Sequence, residues 1–348
     1  MRRWFCLPRG DILREALYMF WLWTGFLILI FVLLALDLGV FNRKAHAIGA
    51  REALLWTAFW ITLSLVFNAA LYYMYLHQWA GLGTMPGHTQ TPQQAALQYF
   101  TGYLIEKSLS LDNIFVIALI FNYFHVPLQY QHRTLFWGIL GALILRGAMI
   151  AAGAAMIHRF TWTIYLFGGL LLFTAFKMLV SKHDDVEPDK NPLVRLARRF
   201  YPVTPDFQGQ RFFSRMNGRR AITPLFLVLL VVESSDVMFA VDSIPAIFAV
   251  TSDPFLVFTS NVFAILGLRS LYFALAAIMD TFHYLKTSLV VLLAFIGVKM
   301  LLSHAFPIPT PLSLGIIVLI LGTGIAASVI RARRLAPGHT EPSSHQEP

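Results

Sequence analysis

Long apolar runs constrain the fold of this chain more than any other feature. Stretches of about 18 or more mostly apolar residues recur along it, which is the length that an α-helix needs to cross hydrocarbon about 30 Å thick. Composition agrees, because 57% of the 348 residues are hydrophobic and only 13% are charged. A soluble protein carries roughly a quarter charged residues. The sequence therefore predicts an all-α, polytopic membrane protein.

Apolar segments between polar breaks predict about nine transmembrane helices, with ends good to a few residues. The first is too long for the apolar part of a signal peptide and ends on Asp37, which predicts a retained helix. The predicted spans are 17–40, 53–76, 99–124, 134–157, 161–181, 222–248, 256–279, 285–304 and 311–331. The remaining divisions are a basic N-terminal segment at 1–16, helices 1–5 within 17–181, a basic cytoplasmic loop at 182–220, helices 6–9 within 221–334 and a disordered tail at 335–348.

Lysine and arginine in the loops predict the orientation. Basic residues occupy loops 41–52, 125–133 and 182–220 and the start of the tail, whereas loops 77–98, 249–255 and 305–310 have none. Because basic loops stay in the cytoplasm, the C-terminus is predicted to be cytoplasmic and, with nine helices, the N-terminus periplasmic. Four arginines before residue 16 argue against that N-terminal side. The net charge of +9 thus reflects topology, and we expect no nucleic-acid partner.

Two parts of the chain resemble each other. "EKSLSLDNIFV", which begins at Glu106, aligns with "DVMFAVDSIPA", which begins at Asp236, and the match continues downstream. Each unit holds three helices, so the second copy has the opposite orientation. Such inverted repeats are typical of secondary transporters, whose site lies near the membrane midplane on interrupted helices. We expect helices 3–5 and 6–8 to form the repeats and Pro245 to kink helix 6. The aligned pairs are Glu106 with Asp236, Asp112 with Asp242, Arg146 with Arg269 and Lys177 with Lys299.

Acidic residues within the spans are the candidate metal ligands. An ionised side chain at the bilayer centre costs about 2.5–3.5 kcal/mol on insertion scales, so each needs a metal ion, a proton or a base. The acids are Glu106, Asp112, Glu233, Asp236, Asp242 and Asp37. Oxygen and amide donors that could complete such a site are Asn68, Ser110, Asn113, Ser243 and Asn261. Oxygen ligands suit Mg²⁺, Ca²⁺ or Mn²⁺, and a single cysteine excludes a multi-thiolate site.

Structural ion pairing is the alternative role for these acids. The candidate bases are Lys107, Arg146 and Arg269, and a buried arginine nearly always pairs with a carboxylate. Lys177 and Lys299 lie near helix ends and are predicted to reach the interface. On regular helices Asp112 and Asp242 do not share the face of their neighbours, which leaves arginine pairing or proton transfer open for them.

At these residues the chain resembles the TerC family of bacterial membrane proteins, within the LysE-type transporter superfamily, and in particular its Alx-type branch. The resemblance runs from about Phe20 to Arg331 and includes "YFTGYLIEKSLSLDNIFV" and "VVESSDVMFAVDSIPAIFAV". It implies a bacterial inner-membrane protein that handles Mn²⁺, since Alx-type members are regarded as exporters, in a family named for tellurite resistance. The family's acidic motif falls on Glu106, Asp112, Glu233, Asp236 and Asp242.

Two functions follow as expectations. The first is a divalent-cation transporter, with Mn²⁺ as exported substrate, protons as the coupling ion and no bound cofactor. The second is a membrane scaffold for a tellurite-resistance, metal-stress or secretion complex, with loop 182–220 as the docking site for a cytoplasmic partner. No nucleophile–base pair or cofactor motif is present, so we do not expect an enzyme. The sequence leaves the ion, its direction and the oligomeric state open.

Overall fold

Helices dominate the computed structural model, which describes residues 9–39, 50–84, 88–180, 191–216, 218–276, 284–303 and 305–335. The predicted tail after residue 335 and residues 1–8 of the predicted segment 1–16 lie outside these ranges. The helices are α1 (Arg9–Gly39), α2 (Ala50–Leu76), α3 (Pro92–Tyr123), α4 (Leu128–Arg159), α5 (Thr163–Val180), α6 (Pro192–Phe200), α7 (Pro224–Phe248), α8 (Pro254–Ile265), α9 (Leu268–Ala276), α10 (Leu285–Leu301) and α11 (Thr310–Leu335). One 3-10 turn (Trp79–Gly81) and an antiparallel hairpin of β1 (Phe213–Met216) and β2 (Arg219–Ile222) complete the described elements.

The all-α, polytopic architecture is confirmed. Each predicted span coincides with a helix, the seventh with the bent pair α8 and α9. Six helices in the described part of the chain are long and apolar enough to cross a membrane, or seven if that pair counts as one span. α3 falls short because charged side chains interrupt its middle, and α10 has only 17 residues. The total of nine spans therefore stays a prediction.

α8 lies at the centre of the bundle. Every residue of this helix from Phe255 to Ile265 is buried, whereas α5 exposes large side chains such as Phe173 and Phe176. In a membrane protein such exposed apolar surface contacts lipid. The inner helices α3, α4, α7 and α8 thus form the core in which a polar site can be shielded from both lipid and water.

The packing of the two predicted repeat units is reciprocal. α3 packs on α8 and α4 packs on α7, which are equivalent pairs if α3–α5 corresponds to α7–α10. α5 packs on α10, and a Cβ added at Gly168 or Gly297 would lie 3.2 or 3.1 Å from the carbonyl oxygen of the other glycine. Inverted units related by an axis in the membrane plane require contacts of this kind. The symmetry itself remains a prediction.

The expected interruption at Pro245 is wrong in position. α7 continues through Pro245 to Phe248, because one lost backbone hydrogen bond so near the end of a helix does not terminate it. The chain instead breaks between α8 and α9, which meet at a bend of 40°. Gly267 has a φ of +83° there, and a Cβ would lie 2.7 Å from the Cβ of Trp60. Glycine is the residue that accepts both the positive φ and the close approach of Trp60.

The loop between α5 and α7 is more structured than a linker. It contains the short helix α6 and the β1–β2 hairpin, and the hairpin was not anticipated. Gln210 Nε2 donates to the Gln129 carbonyl at 3.2 Å, and the Arg133 guanidinium lies 5.2 Å from the centre of the Phe212 ring. These contacts place two of the basic loops on the same face of the bundle, as the charge pattern requires.

Candidate functional site

A buried arginine joins the two aligned acidic motifs. Arg146 of α4 donates Nη2 to Asp236 Oδ1 at 2.8 Å and Nε to Asp236 Oδ2 at 3.1 Å, and Nη1 contacts Glu106 Oε1. Glu106, Arg146 and Asp236 are 0%, 2% and 5% exposed. The two carboxylates therefore converge from α3 and α7 on one guanidinium, in the two-pronged geometry that arginine favours.

Further polar side chains surround this pair. Asn113 of α3 donates Nδ2 to Asp236 Oδ1 at 3.1 Å, and the Ser243 hydroxyl accepts from Arg146 Nη1 at 3.4 Å. Asn113 and Asp236 also line a small cavity of about 20 Å³, together with apolar side chains of α3, α4 and α9. That volume is enough for one water molecule. Asn113 and Asp236 are the polar residues that line this water-sized space, while Glu106 and Ser243 contact Arg146 outside its lining.

Three buried oxygen atoms of the same region have no hydrogen-bond donor among the residues that the structure describes. They are Glu106 Oε2, Asn113 Oδ1 and Glu233 Oε2. Buried polar atoms nearly always have a partner, so each of these oxygens calls for a water molecule, a proton or a cation. This is the feature of the cluster that points to a ligand.

Glu233 lies beside Asp236 on α7 and packs against α4. A Cβ on Gly141 would overlap its carboxylate, so the glycine provides the space that this side chain occupies. The two acids lie within electrostatic range of each other. Glu233 therefore adds a third carboxyl group beside Asp236.

Asp242 and Lys107 point away from the cluster. Thr174 Oγ1 of α5 donates to Asp242 Oδ1 at 2.7 Å, and Lys107 Nζ donates to the Ala264 carbonyl at 3.2 Å. The analysis of helix faces predicted that Asp242 would not share the site of Asp236, and it makes its contact with a different helix. The structure thus brings Glu106 and Asp236 to Arg146 and places Glu233 near Asp236, whereas Asp242 lies apart.

The remaining predicted residues occupy other positions. Asp112 is half-buried on α3, Ser110 and Arg269 are buried, and the side chain of Asp37 lies outside the described residues. Asn68 Oδ1 and both amide atoms of Asn261 are buried without a hydrogen bond within the described ranges. Over the same ranges no three Asp, Glu, His or Cys side chains are close enough to hold a metal ion together.

The prediction that Lys299 reaches the membrane interface is wrong. Its side chain is 9% exposed and donates to Ser313 Oγ of α11 at 3.0 Å. α11 covers the end of α10, so the lysine finds a hydroxyl partner inside the bundle instead of water. Lys177, its counterpart in the repeat alignment, is exposed as expected.

A second buried polar cluster escaped the sequence analysis. Asp253 Oδ2 accepts from the Tyr75 hydroxyl at 2.7 Å and lies 2.7 Å from His88 Nδ1, while Oδ1 accepts from the amides of Phe255 and Leu256. Asp253 is fully buried. It caps α8 and joins loops 77–98 and 249–255 on one face. The Asp-Pro sequence was a cap signal, but no sequence signal identified His88.

The fold and this central cluster define a polytopic α-helical membrane protein with an acidic, arginine-bridged site inside its bundle. The chain belongs to the integral membrane protein TerC family, whose model matches residues 91–336.

Several relatives are similar over most of their length. An uncharacterized membrane protein of Myxococcus xanthus is 51% identical over 312 residues, covering 90% of this chain and 93% of the relative. A protein of Escherichia coli K12 named as a membrane-bound redox modulator, Alx, is 48% identical over 297 residues, covering 85% and 90%. An uncharacterized membrane protein of Rickettsia bellii is 41% identical, covering 89% and 97%. No solved structure matches the chain significantly.

Proposed function

We propose that this protein is a divalent-cation transporter of the bacterial inner membrane, which exports Mn²⁺ in exchange for protons. The observation that carries the proposal is the convergence of Glu106 and Asp236 inside the bundle, with unpartnered buried oxygens beside them. Unpartnered buried amide atoms also occur at Asn68 and Asn261, but those of the cluster lie beside two converging carboxylates. Oxygen donors of this kind bind hard divalent cations.

The charge of the cluster suits one divalent cation. Glu106 and Asp236 contact Arg146, and Glu233 lies within electrostatic range of Asp236. Three ionised carboxylates against one guanidinium leave a net charge of about −2. Such a charge inside a membrane is costly unless it is neutralised. One M²⁺ ion or two protons would neutralise it, so the same groups can carry either in alternation.

Arg146 acts in this proposal as a built-in competitor of the substrate. Its guanidinium now contacts both carboxylates that a bound cation would need. When Mn²⁺ enters, it displaces the guanidinium from one carboxylate and takes oxygen ligands from Glu106, Asp236 and Asn113. When the ion leaves, Arg146 returns and the carboxylates receive protons from the other side. The arginine keeps the site from collapsing by charge repulsion between these steps.

Coupling to protons follows from the membrane potential. Moving a divalent cation out against an inside-negative potential costs about 4.6 kcal/mol per 100 mV, from about 2.3 per charge. A passive pore cannot supply that energy. Exchange of two protons inward for each ion outward moves no net charge, and the pH gradient then drives export.

The name of the Alx relatives, redox modulator, is compatible with this proposal. The present chain has one cysteine, Cys6, so no disulfide can form within one chain and dithiol chemistry is excluded. Control of the concentration of a redox-active metal would change the redox state of a cell without any such chemistry.

The scaffold function predicts a different dependence on residues. Its docking surface would be the exposed face of α6, where Leu196 and Phe200 are 52% and 70% exposed. Deleting the whole loop is a poor test, because Val194 and Phe212 of this loop are buried in the core. Substitution of the two exposed side chains by serine removes the surface and leaves the core intact.

Cellular manganese distinguishes the two functions. The wild-type protein is expressed in cells that lack their own copy, and we expect it to lower the cellular Mn content and the sensitivity to added Mn²⁺. Expression of Asp236→Asn should change neither. The conservative control Asp206→Asn, at an exposed loop position, and the α6 double variant should behave as wild type. Equal Mn content with wild type and Asp236→Asn would contradict the proposal, and loss of function only in the α6 variant would favour the scaffold.

A further inference from the structure

We propose that Phe121 and Tyr272 form a gate between the carboxylate site and an aqueous vestibule on the face of the basic loops. The inference rests on the proposed function in one respect, since it describes how an ion reaches Asp236. It concerns access to the site and not the identity of the ion.

The vestibule is an open cavity of about 420 Å³ at the end of α3. Its lining combines apolar side chains with polar groups, and the residues used below are Phe121, Asn122, His125, Gln131 and Tyr272. His125 belongs to the turn between α3 and α4, and Gln131 belongs to the start of α4. The same start of α4 contacts the basic loop, because the Gln129 carbonyl accepts from Gln210. A space of this size and polarity holds many water molecules.

The vestibule and the small cavity beside Asp236 lie along the same three helices. On α3 the inner cavity is lined by Ile117 and the vestibule by Phe121; on α4 the corresponding residues are Leu135 and Gln131, and on α9 they are Leu268 and Tyr272. Each step is four residues, which is about one helical turn or roughly 6 Å. The two cavities are therefore neighbours along one route that leads to Asp236.

Two aromatic rings close this route. The rings of Phe121 and Tyr272 meet edge to face with their centres 5.5 Å apart, and both side chains are buried. The Tyr272 hydroxyl donates to Gln131 Oε1 at 3.1 Å, and Gln131 Nε2 donates to the Val126 carbonyl at 3.1 Å. Rotation of the tyrosine ring breaks one hydrogen bond and needs no movement of a helix axis, so this pair can open and close as a side-chain gate.

The opposite direction is closed by helix packing. A Cβ at Gly102 of α3 would lie 2.9 Å from Ser260 Oγ and 3.3 Å from Ile247 Cγ2. α3 thus rests directly on α7 and α8 at this level, and an opening there requires the helices to separate. In the present conformation the thinner barrier faces the basic loops, which the charge rule assigns to the cytoplasm.

Cysteine accessibility tests the gate in the full-length protein. The chain has one cysteine, so Cys6→Ser provides a background without thiols. Ala142→Cys places a thiol in the inner cavity and Ala118→Cys places one in the vestibule. The probe is a membrane-impermeant methanethiosulfonate with a quaternary ammonium group, applied to membrane vesicles of either orientation.

We expect Ala118→Cys to react from the face of the basic loops and Ala142→Cys to react at least about tenfold more slowly, because access limits thiol reactivity. Adding Tyr272→Ala or Phe121→Ala should raise the rate at Ala142→Cys by about tenfold or more, from that face only. Tyr272→Phe, which keeps the ring and loses the hydrogen bond, should give an intermediate rate. Phe173→Ala, an exposed aromatic on α5 away from both cavities, serves as the control without effect.

Two results would overturn the gate. One is equal reactivity of Ala142→Cys and Ala118→Cys in the absence of a gate substitution, and the other is unchanged reactivity of Ala142→Cys in both alanine variants. Size-exclusion profiles identify a variant that does not fold. If the alanine variants do not fold, the labelling rate of Ala142→Cys in the Tyr272→Phe background tests the gate instead. The labelling needs no transport, so the gate can stand even if Mn²⁺ is not the substrate, and the two proposals fail separately.

Discussion

Replacement of Arg146 by methionine tests whether the buried arginine holds the two carboxylates and competes with a bound cation. The substitution keeps an unbranched apolar stem but removes the guanidinium that contacts Glu106 and Asp236. Breaking a buried pair by removing one partner costs about 3–5 kcal/mol. For a chain of 348 residues, an unfolding entropy of about 2.1 cal/mol/K per residue gives about 1.4 °C per kcal/mol, so we expect the apparent melting temperature to fall by roughly 5 °C.

Manganese should reverse this loss if Arg146 competes with the ion. A ligand at about 100 times its Kd stabilises the folded state by about 2.7 kcal/mol. Without the competing guanidinium, Arg146→Met should bind Mn²⁺ more tightly than wild type and gain the larger increase in melting temperature at equal Mn²⁺. Melting of the purified protein in detergent can be followed by the fluorescence of its eight tryptophans.

The matched control for this experiment is Arg133→Met. Arg133 is exposed and lies over the Phe212 ring, so its loss should change the melting temperature little and leave the response to Mn²⁺ as in wild type. If Arg146→Met melts like wild type, or if its gain with Mn²⁺ is no larger, the arginine is not an internal competitor and the charge argument is refuted.

Three further substitutions have clear expectations. Asp253→Ala should lower the free energy of unfolding by about 2–4 kcal/mol in thermal melts, because the cap of α8 and two buried partners are lost together; a neutral result would contradict this. Gly168→Leu should prevent the close packing of α5 on α10 and reduce the yield of folded protein, whereas Gly169→Leu, which has open space, should not. Gly141→Ala should displace the Glu233 carboxylate and slow transport while the protein still folds; an unchanged rate would exclude Glu233 from the site.

The repeat alignment singled out two acids that lie together in the structure. It paired Glu106 with Asp236, and the structure brings these two acids to one arginine. The sequence could identify these residues because charged side chains inside an apolar span are rare and must find partners. The helix-face analysis also separated Asp242 from Asp236, since the period of a helix is fixed.

Other features depend on tertiary packing, which a pattern of single residues does not contain. The break at Gly267 exists because Trp60 of a distant helix occupies the space of a Cβ. His88 lies in a polar loop, and only the fold places it against Asp253. Pro245 lies within α7, but it is so near the end of the helix that it does not interrupt it.

Flux through the purified protein in liposomes tests the central claim most directly. With a Mn²⁺-sensitive dye and a pH dye inside, entry of Mn²⁺ through wild type should be accompanied by exit of about two protons per ion, so that no net charge moves. Asp236→Asn should abolish both signals and Asp206→Asn should preserve them. Mn²⁺ flux at the wild-type rate in Asp236→Asn would contradict the account, and flux in wild type without any proton movement would contradict the coupling.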